Sequence, residues 1–300
     1  MYDIVIIGAG PAGLTAGIYG ARAAKKVLVL EKSVYGGQII NAQNIENFPT
    51  AAHITGTDFA TRLYNQAKEL GVEVRFEKAT EIKNYDDYKE VITTNGTIET
   101  KSVIIATGCK NRTLELENEK ELVGKGISYC ATCDGNFYKD KIVAVVGGGN
   151  TAVEDALFLS GIAKKVYLIH RRDEFRANQK TVSALEEKEN IYFILNSVIT
   201  RIVGEEHLEG IEVNNKDVIG VDALFVAVGM NPENEIFSNL VKINEVGYII
   251  AGEDCHTSVP GIFVAGDTRT KTLRQLVTAT SDGAVASEEA VKYLNKKDSI

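Results

Sequence analysis

The chain has few of the residues that build metal clusters and disulfide scaffolds. It contains four cysteines and four histidines in 300 residues. Four cysteines are too few to hold a chain of this length together by disulfides, and only Cys130 and Cys133 are close in sequence. The histidines show no ligand spacing: they are His53, His170, His207 and His256. Because a structural zinc site needs four ligands, no metal site is predicted.

The chain also lacks an excess of basic charge. It has 33 Lys and Arg against 41 Asp and Glu, and its net charge is −8. Nucleic-acid binding depends on clustered basic side chains, so phosphate backbones are not expected partners. The hydrophobic fraction of 44% and the charged fraction of 25% are ordinary for a soluble globular protein. A length of 300 residues predicts two domains.

An uncharged stretch from Ile4 to Ala21 is close in length to a membrane span. Five glycines and Pro11 interrupt it, and no basic segment precedes it. The sequence therefore predicts neither a membrane helix nor a signal peptide, and we expect a cytoplasmic protein.

An internal repeat organises the chain. Residues 4–32 read IVIIGAGPAGLTAGIYGARAAKKVLVLEK, and residues 143–171 read VAVVGGGNTAVEDALFLSGIAKKVYLIHR. Each copy has an apolar run, a glycine-rich turn, a helical stretch and a second apolar run beginning at AKKV. This pattern is typical of a dinucleotide-binding half. The predicted fold is α/β, with two three-layer, Rossmann-like domains that each contain a central parallel sheet.

The glycine-rich turns read Gly8-x-Gly10-x-x-Gly13 and Gly147-x-Gly149-x-x-Ala152. Glycines permit a tight turn and let the backbone approach a pyrophosphate, whose charge is favoured at the helix N-terminus. The alternative is that these glycines only pack a helix against a strand. Their placement between a strand and a helix, twice in register, favours nucleotide binding.

The residues after the second strand differ between the two copies. The first copy has Glu31, whose carboxylate can accept hydrogen bonds from ribose hydroxyls. The second copy has a basic cluster: His170, Arg171, Arg172 and Arg176. Guanidinium groups pair well with a phosphate dianion, so this cluster predicts NADPH rather than NADH. A solvated basic surface is the alternative, since Asp173 and Glu174 are interleaved.

Cys130 and Cys133 form a Cys-x-x-Cys motif. A structural disulfide across two residues closes a very short loop and contributes little stability by the chain-entropy argument. In a nucleotide-binding chain the motif instead indicates a redox couple, whose thiol pKa a helix N-terminus lowers. Asp134 follows directly and can give or take a proton during thiol exchange. Its alternative role is that of an ordinary aspartate at a helix start.

Nine motifs in order resemble the low-molecular-weight, bacterial-type thioredoxin reductases, which are pyridine nucleotide-disulfide oxidoreductases. The resemblance covers essentially the whole chain. The motifs are GAGPAG at 8–13, GGQ at 36–38, ENFP at 46–49, IATG at 105–108, CATCDG at 130–135, GGGNTAVE at 147–154, HRRDEFRA at 170–177, GIFVAGD at 261–267 and LRQLVTA at 273–279. Many relatives carry a Pro-Gly-Glu segment after IATG, whereas residues 111–122 here read NRTLELENEKEL.

The resemblance implies an FAD domain formed by residues 1–112 and 243–300, with an NADPH domain, residues 113–242, inserted between them. The implied FAD residues are Gly8, Gly10, Pro11, Ala12, Gly13, Glu31, Gly37, Gln38, Asn47, Gly266, Asp267, Arg274, Gln275 and Leu276. The implied NADPH residues are Gly149, Asn150, Thr151, His170, Arg171, Arg172 and Arg176.

The resemblance also implies a mechanism. Electrons pass from NADPH to FAD, then to the Cys130–Cys133 disulfide and then to thioredoxin. Cys133 faces the flavin, Cys130 attacks the substrate disulfide and Asp134 is the acid. The NADPH fingerprint and the cysteines share one domain yet both must reach one flavin, so we expect this domain to rotate on linkers near 109–113 and 241–247. A homodimer is expected.

Two other kinds of protein are compatible with parts of this pattern. One is a ferredoxin-linked or dithiol-oxidising flavoprotein of the same fold, although the intact HRRDEFR segment speaks against ferredoxin dependence. The other is a flavin-binding redox sensor without catalytic activity. The presence of both nucleotide fingerprints together with CATCD favours the reductase.

Overall fold

A computed structural model describes residues 1–51 and 53–297. The chain divides into two compact units. The first unit comprises Met1–Lys110 and Asn231–Ile300, and the second comprises Asn111–Met230. The second unit is therefore an insertion in the first, with boundaries that differ from those expected at 112/113 and 242/243.

The second expected boundary was wrong by twelve residues because residues 231–242 pack in the first unit. Phe237 and Val241 are buried in its core with Ile249 and Val264. Asn234 is also buried, and its amide nitrogen donates to a carbonyl oxygen in the same unit, that of Thr268, over 2.9 Å. These contacts are long-range in sequence, so composition at the boundary did not indicate them.

The first unit is built on a seven-stranded mixed sheet. Its strands are β1 (Tyr2–Ile7), β2 (Val27–Leu30), β3 (Glu73–Arg75), β4 (Ala79–Asn84), β5 (Lys89–Thr93), β6 (Gly96–Ile105) and β17 (Ile262–Val264). The order is β3-β2-β1-β6-β5-β4, with β17 also paired to β6. Strands β1, β2, β3, β6 and β17 are parallel, whereas β4, β5 and β6 form an antiparallel meander.

Three helices accompany this sheet. They are α1 (Pro11–Arg22), α2 (Gly56–Glu69) and α6 (Leu276–Lys297). Helix α1 begins at Pro11 because proline has no N–H to lose at the first helical position and its φ suits a helix. Short 3-10 helices span Gly37–Asn41, Glu235–Phe237 and Gly266–Thr268.

The second unit contains a five-stranded parallel sheet with the order β11-β10-β9-β15-β8. Its strands are β8 (Ile127–Ser128), β9 (Ile142–Val146), β10 (Lys165–Ile169), β11 (Ile191–Ile194) and β15 (Ala223–Val226). A separate antiparallel sheet contains β12 (Ile199–Val203), β13 (Gly210–Val213) and β14 (Asp217–Gly220). The helices are α3 (Ala131–Asp134), α4 (Asn150–Ser160) and α5 (Gln179–Glu186), with a 3-10 helix at Gly135–Tyr138.

The sequence repeat is a structural repeat. In the first copy β1 leads through a glycine turn into α1 and then β2, and in the second copy β9 leads into α4 and then β10. In both copies the two strands are parallel neighbours. The predicted α/β class with parallel sheets is confirmed. Among the described residues, no helix has the length and apolar character that crossing a membrane requires.

The chain passes between the two units along two short strands, β7 (Cys109–Asn111) and β16 (Met230–Pro232). These strands pair with each other in a two-stranded sheet. The first crossing agrees with the linker expected near 109–113. The linker expected near 241–247 was wrong, since Val241 is 3% exposed in the first unit's core.

Candidate active site

A disulfide bond joins Cys130 and Cys133 in the second unit, with 5.3 Å between their Cα atoms. Cys130 is the N-cap of α3, a single helical turn, and its Sγ accepts a hydrogen bond from the Cys133 backbone N–H at 3.2 Å. The helical turn expected from the Cys-x-x-Cys spacing is therefore present. A thiolate on Cys130 keeps this amide donor, which stabilises negative charge on sulfur.

Asp134 ends α3 and lies largely out of solvent. Burial raises the pKa of its carboxyl, and a hydrogen bond from Ser128 acts in the opposite direction. The Ser128 Oγ lies 2.6 Å from the Asp134 Oδ2. The same hydroxyl accepts the Cys130 backbone N–H at 3.0 Å. The Ser128 hydroxyl thus links the Asp134 carboxyl to the backbone of Cys130.

Glu119 anchors the NRTLELENEKEL segment, where the chain departs from many relatives. Its side chain is 1% exposed and accepts the backbone N–H groups of Leu114 and Leu116. It also accepts the Tyr129 hydroxyl at 2.8 Å, immediately before Cys130. Burial and this hydrogen bond to Glu119 raise the pKa of Tyr129. A buried carboxylate therefore joins the departing segment to Tyr129, the residue between β8 and the cysteine motif.

The second glycine turn has the geometry expected of a nucleotide-binding loop. Gly147 has a φ of +154°. A Cβ there would lie 2.3 Å from the Ala227 carbonyl oxygen and 2.7 Å from the Ala152 Cβ. Gly149 is the N-cap of α4 and has open space on its Cβ side. Asn150 and Thr151 open the helix, so three predicted residues meet at its N-terminus.

The basic cluster after β10 separates into two parts. Arg171, Arg172 and Arg176 are exposed, and the Arg176 backbone N–H bonds the Gly148 carbonyl of the glycine turn at 2.8 Å. His170 instead is 4% exposed and stacks on Phe175. Burial, together with the nearby arginines, lowers the pKa of His170. The histidine is therefore neutral and packs beneath the glycine turn, whereas the arginines are open to a ligand.

The first glycine turn is equally tight. Gly8 has a φ of +114°, and a Cβ on Gly13 would lie 1.8 Å from the Gly8 carbonyl oxygen. Gly10 caps α1. Glu31 follows β2 and is 8% exposed, and its Oε2 accepts the Ala9 backbone N–H at 3.0 Å. The carboxylate therefore fixes the glycine loop itself, a role that the sequence pattern did not indicate.

Gly37, another predicted residue of the first unit, lies against this loop, and three further predicted residues make hydrogen bonds elsewhere in the unit. Gly37 has a φ of +62°, and a Cβ on it would lie 3.3 Å from the Gly10 Cα and 3.9 Å from the Pro11 Cδ. Beyond it, Gln38 Nε2 donates to the Cys109 carbonyl at 3.0 Å. Asn47 and Gln275 also meet, through an amide hydrogen bond of 3.1 Å.

Asp267 lies in the short 3-10 helix Gly266–Thr268, which precedes α6 in the chain. A Cβ on Gly266, which has a φ of +79°, would lie 2.9 Å from the Ala12 Cβ, so this turn packs on α1. The Asp267 backbone carbonyl accepts the Cys109 thiol at 3.2 Å and the Arg274 Nε at 3.4 Å. Leu276 then begins α6. Burial raises the pKa of the Asp267 carboxyl.

Four buried side-chain polar atoms have no hydrogen-bond partner within residues 1–51 and 53–297: the Ser102 and Ser287 hydroxyls, the Asp267 Oδ1 and the His170 Nε2. The last two belong to residues predicted to line the nucleotide sites. An unpaired buried polar atom costs free energy, so each of these atoms is suited to a partner from a bound molecule. One lies beside the first glycine loop and the other under the second.

A buried ion cluster supports the Asp267 turn, and the sequence did not indicate it. Asp282 on α6 accepts the Gly266 backbone N–H, the Arg269 guanidinium and the Lys271 ammonium, each at 2.8–2.9 Å. Burial raises the pKa of Asp282, but the hydrogen bonds from Arg269 and Lys271 outweigh it and hold the pKa below its usual range. The helix and the turn are thereby joined by charge.

The described residues contain no group of three or more His, Cys, Asp or Glu side chains suited to a metal ion. Cys109 and Cys255 are free and buried. Burial raises the pKa of each of these thiols to about 12, so both are protonated at neutral pH. The two cysteines that form a disulfide are Cys130 and Cys133.

A family model described as pyridine nucleotide-disulphide oxidoreductase matches residues 2–283. The chain belongs to this family. A thioredoxin reductase from Listeria monocytogenes is 40% identical over 307 residues, covering 100% of this chain and 96% of the relative. A 34.2 kDa protein in the rubredoxin operon of Clostridium pasteurianum is 43% identical over 301 residues, covering 98% of each chain.

Solved structures of this family include a thioredoxin reductase from Streptococcus pyogenes MGAS5005. It matches with a TM-score of 0.94 and 40% sequence identity, covering 99% of each chain. The predicted membership of the bacterial-type thioredoxin reductases is confirmed by these full-length matches.

Proposed function

We propose that this chain is an NADPH-dependent thioredoxin-disulfide reductase that uses FAD. The observation that carries the proposal is the Cys130–Cys133 disulfide beside the half-buried Asp134, in a unit that also holds a glycine-rich turn at the start of a helix. The proteins named thioredoxin reductase that match over the full chain support the reaction and the substrate.

The first unit fits FAD. Its glycine loop (Gly8, Gly10 and Gly13), faced by Gly37, leaves space for a pyrophosphate close to the backbone at the start of α1. The Asp267 Oδ1 lacks a partner among the described residues and suits a ribityl hydroxyl donor. Three hydrogen bonds support a common site for the other proposed FAD residues: Gln38 with the Cys109 carbonyl, Asn47 with Gln275, and Arg274 with the Asp267 carbonyl. FAD, when bound, carries an electron pair from NADPH to the disulfide.

The second unit fits NADPH. Gly149, Asn150 and Thr151 form the start of α4, where an anionic pyrophosphate is favoured. Arg171, Arg172 and Arg176 are exposed nearby and can pair with a 2′-phosphate. His170 packs against the turn, and its buried Nε2 has no hydrogen-bond partner among the described residues, so it can accept one from the nucleotide. The histidine is thus proposed as a neutral contact rather than a charged phosphate ligand.

The cysteines perform dithiol–disulfide exchange. Once the disulfide has received two electrons, the Cys130 thiolate attacks a sulfur of the substrate disulfide and expels the other sulfur as a thiolate. The Cys133 thiolate then attacks the Cys130 Sγ, which restores the intramolecular disulfide and releases the reduced substrate. Asp134 can deliver a proton to a leaving thiolate or remove one from a thiol. Burial raises its carboxyl pKa toward neutral pH, where a group exchanges protons most readily.

Rotation of the second unit between half-reactions is part of the proposal. Both crossings of the chain lie on the paired strands β7 and β16, which supports a hinge at one place in the chain. We also propose a homodimer in the cytoplasm. Light scattering tests the dimer, with an expected mass of twice the 32.6 kDa of one chain.

NADPH-dependent reduction of thioredoxin by the purified yellow protein tests the function. We expect turnover with NADPH, weak turnover with NADH and none for Cys133→Ser, whereas Cys255→Ser, which removes a buried thiol outside the path, keeps activity. If NADPH bleaches the flavin but thioredoxin stays oxidised, the proposed cofactors are supported and the proposed substrate, thioredoxin, is wrong. A flavin that NADPH cannot reduce would point to another electron donor or to a redox sensor.

A further inference from the structure

Ser128 occupies a central position in the cysteine site although it belongs to none of the motifs that identified that site. It ends the short strand β8 and is 3% exposed. Its hydroxyl contacts three groups: the Asp134 carboxylate at 2.6 Å, the Cys130 backbone N–H at 3.0 Å and the Cys130 carbonyl at 3.3 Å. One side chain thus bridges the acid and the backbone of the attacking cysteine.

A serine hydroxyl has one proton and two lone pairs, which decides how these three contacts are shared. When Asp134 is ionised, the hydroxyl donates to its carboxylate, since charge-assisted hydrogen bonds are the stronger. When Asp134 is protonated, the carboxyl can donate to the serine oxygen while the serine proton turns to the Cys130 carbonyl. The Cys130 N–H bond is kept in both states. Ser128 therefore has a hydrogen-bonding partner for each stage of proton transfer.

We propose that Ser128 is a positioning residue for thiol–disulfide exchange, because its hydroxyl holds the Asp134 carboxyl and the Cys130 backbone in one arrangement through both protonation states. This inference rests on the function proposed above, in which Asp134 is the proton donor and acceptor. Ser128 itself touches neither sulfur in the contacts described here, and it acts through its two neighbours.

The hydrogen bond also affects the charge of the acid. Burial raises the pKa of Asp134, and the Ser128 hydroxyl limits that rise by stabilising the carboxylate. Without the hydroxyl, burial acts unopposed and the pKa rises further. Because Ser128 also bonds the protonated carboxyl, only the difference between the charged and the neutral hydrogen bond shifts the pKa, and that difference corresponds to about one pH unit.

Other titratable groups lie on the elements around Asp134. Tyr138 is on the following 3-10 helix, and burial together with the Asp134 charge raises its pKa. Asp155 is on α4, which packs against α3, and burial raises its pKa to about 7. The exposed Glu154 is its neighbour on that helix. Because Asp155 titrates near neutrality, its contribution has to be separated from that of Asp134.

The test measures the pKa of Asp134 directly in Ser128→Ala, by carbon-13 resonances of labelled aspartate carboxyls in the oxidised holoenzyme. Asp134→Asn and Asp155→Asn assign the two resonances. We expect the Asp134 pKa to rise by about one pH unit in Ser128→Ala. Ser128→Thr, which keeps the hydroxyl, should restore it, and Ser160→Ala, which removes a hydroxyl bonded only within α4, should not change it.

The pH profile of thioredoxin reduction supplies the second readout. The inflection that Asp134→Asn abolishes should move upward in Ser128→Ala by the same amount as the carboxyl pKa. A uniform loss of rate with an unmoved inflection, or an unchanged Asp134 pKa, overturns the inference, because Ser128 would then only support the fold. A wild-type protein that reduces no thioredoxin overturns the proposed function instead, and the carboxyl resonance still decides whether Ser128 controls Asp134.

Discussion

The basic residues of one short segment have different roles because their burial differs. The basic cluster after β10 reads as four equivalent cations in sequence, yet His170 is 4% exposed and neutral while Arg171, Arg172 and Arg176 are exposed. Desolvation disfavours charge on a buried imidazole, whereas a guanidinium at the surface stays charged. The proposed recognition of a 2′-phosphate therefore rests on the arginines alone.

We predict that Arg176→Gln weakens the preference for NADPH. Its backbone N–H bonds the glycine turn, so this side chain is the one tied most directly to the nucleotide-binding loop. Loss of one charge-assisted contact should lower kcat/KM for NADPH by about ten- to a hundredfold and leave NADH unchanged. Steady-state kinetics with both nucleotides measure this effect.

Arg201→Gln is the matched control for this prediction. Arg201 is an exposed arginine in the same unit and is paired with Glu212 at 2.8 Å. Its replacement should alter neither nucleotide. Equal losses for NADPH and NADH in Arg176→Gln would contradict recognition of the phosphate and indicate damage to the loop.

At the scale of elements, close contact between α1 and α6 decides which residues those helices can carry. A Cβ on Gly283 of α6 would lie 2.2 Å from the Ala12 carbonyl oxygen of α1. The carboxylate of Asp282, the preceding residue, accepts hydrogen bonds from the Gly266 backbone N–H and from the Arg269 guanidinium. These two bonds hold the Gly266 turn. The crossing therefore sets the position of the turn that presents Asp267. Overpacking at this contact moves both helices and the proposed FAD site together.

We predict that Gly283→Ala destabilises the protein although alanine is the better helix former. The intrinsic gain is about 1 kcal/mol, but the clash with helix backbone cannot be relieved by rotating a side chain, and overpacking costs about 1–3 kcal/mol. The expected result is a lower melting temperature and weaker retention of FAD. Thermal unfolding followed by flavin fluorescence measures both.

Gly161→Ala is the control for the helix crossing. Gly161 follows α4 with a φ of −80°, and the nearest atom to an added Cβ is the Phe158 carbonyl oxygen at 3.5 Å. Alanine fits there, so its melting temperature should stay close to that of the wild type. A Gly283→Ala protein as stable as Gly161→Ala would show that the two helices can separate without cost.

For the whole molecule, the decisive feature is that the chain crosses between its units at one paired ribbon, β7 with β16. A hinge needs residues that absorb changes in φ and ψ. Gly229 precedes β16 with a φ of +108°, and its carbonyl accepts the Arg112 N–H at 3.0 Å. Gly229 is therefore a conformationally free residue next to the point where the chain crosses between the units.

We predict that Gly229→Ala slows turnover more than it destabilises the fold. Only the Arg112 Cδ, at 3.8 Å, is near the added Cβ, so the change acts through φ rather than through packing. A penalty of about 1–2 kcal/mol on one backbone state corresponds to a loss in kcat of about five- to thirtyfold. Stopped-flow measurement of flavin reduction and steady-state kcat separate the rotation from the chemistry.

Gly71→Ala provides the comparison for the hinge. Gly71 also has a positive φ, +86°, with nothing within 4 Å of an added Cβ, and it lies after α2 rather than at a crossing. It should lower the melting temperature similarly but leave kcat unchanged. Equal kcat values for the two variants would argue against rotation at the crossing.

The sequence by itself determined the repeated strand–turn–helix–strand units, the two nucleotide turns and the redox cysteine pair. These features are local: glycines that allow tight turns, apolar runs that form buried parallel strands, and a two-residue spacing that suits one helical turn. They persist in any fold that contains those segments. The family motifs added residues of the proposed FAD site, including Gln38, Asp267 and Arg274.

Only the tertiary structure decided what depends on contacts distant in sequence. It placed residues 231–242 in the first unit, paired β7 with β16 and joined Asp282 to the Gly266 turn. It also made His170 neutral and brought the Ser128 hydroxyl to Asp134. Burial and long-range hydrogen bonding set these properties, and neither is encoded in the spacing of nearby residues.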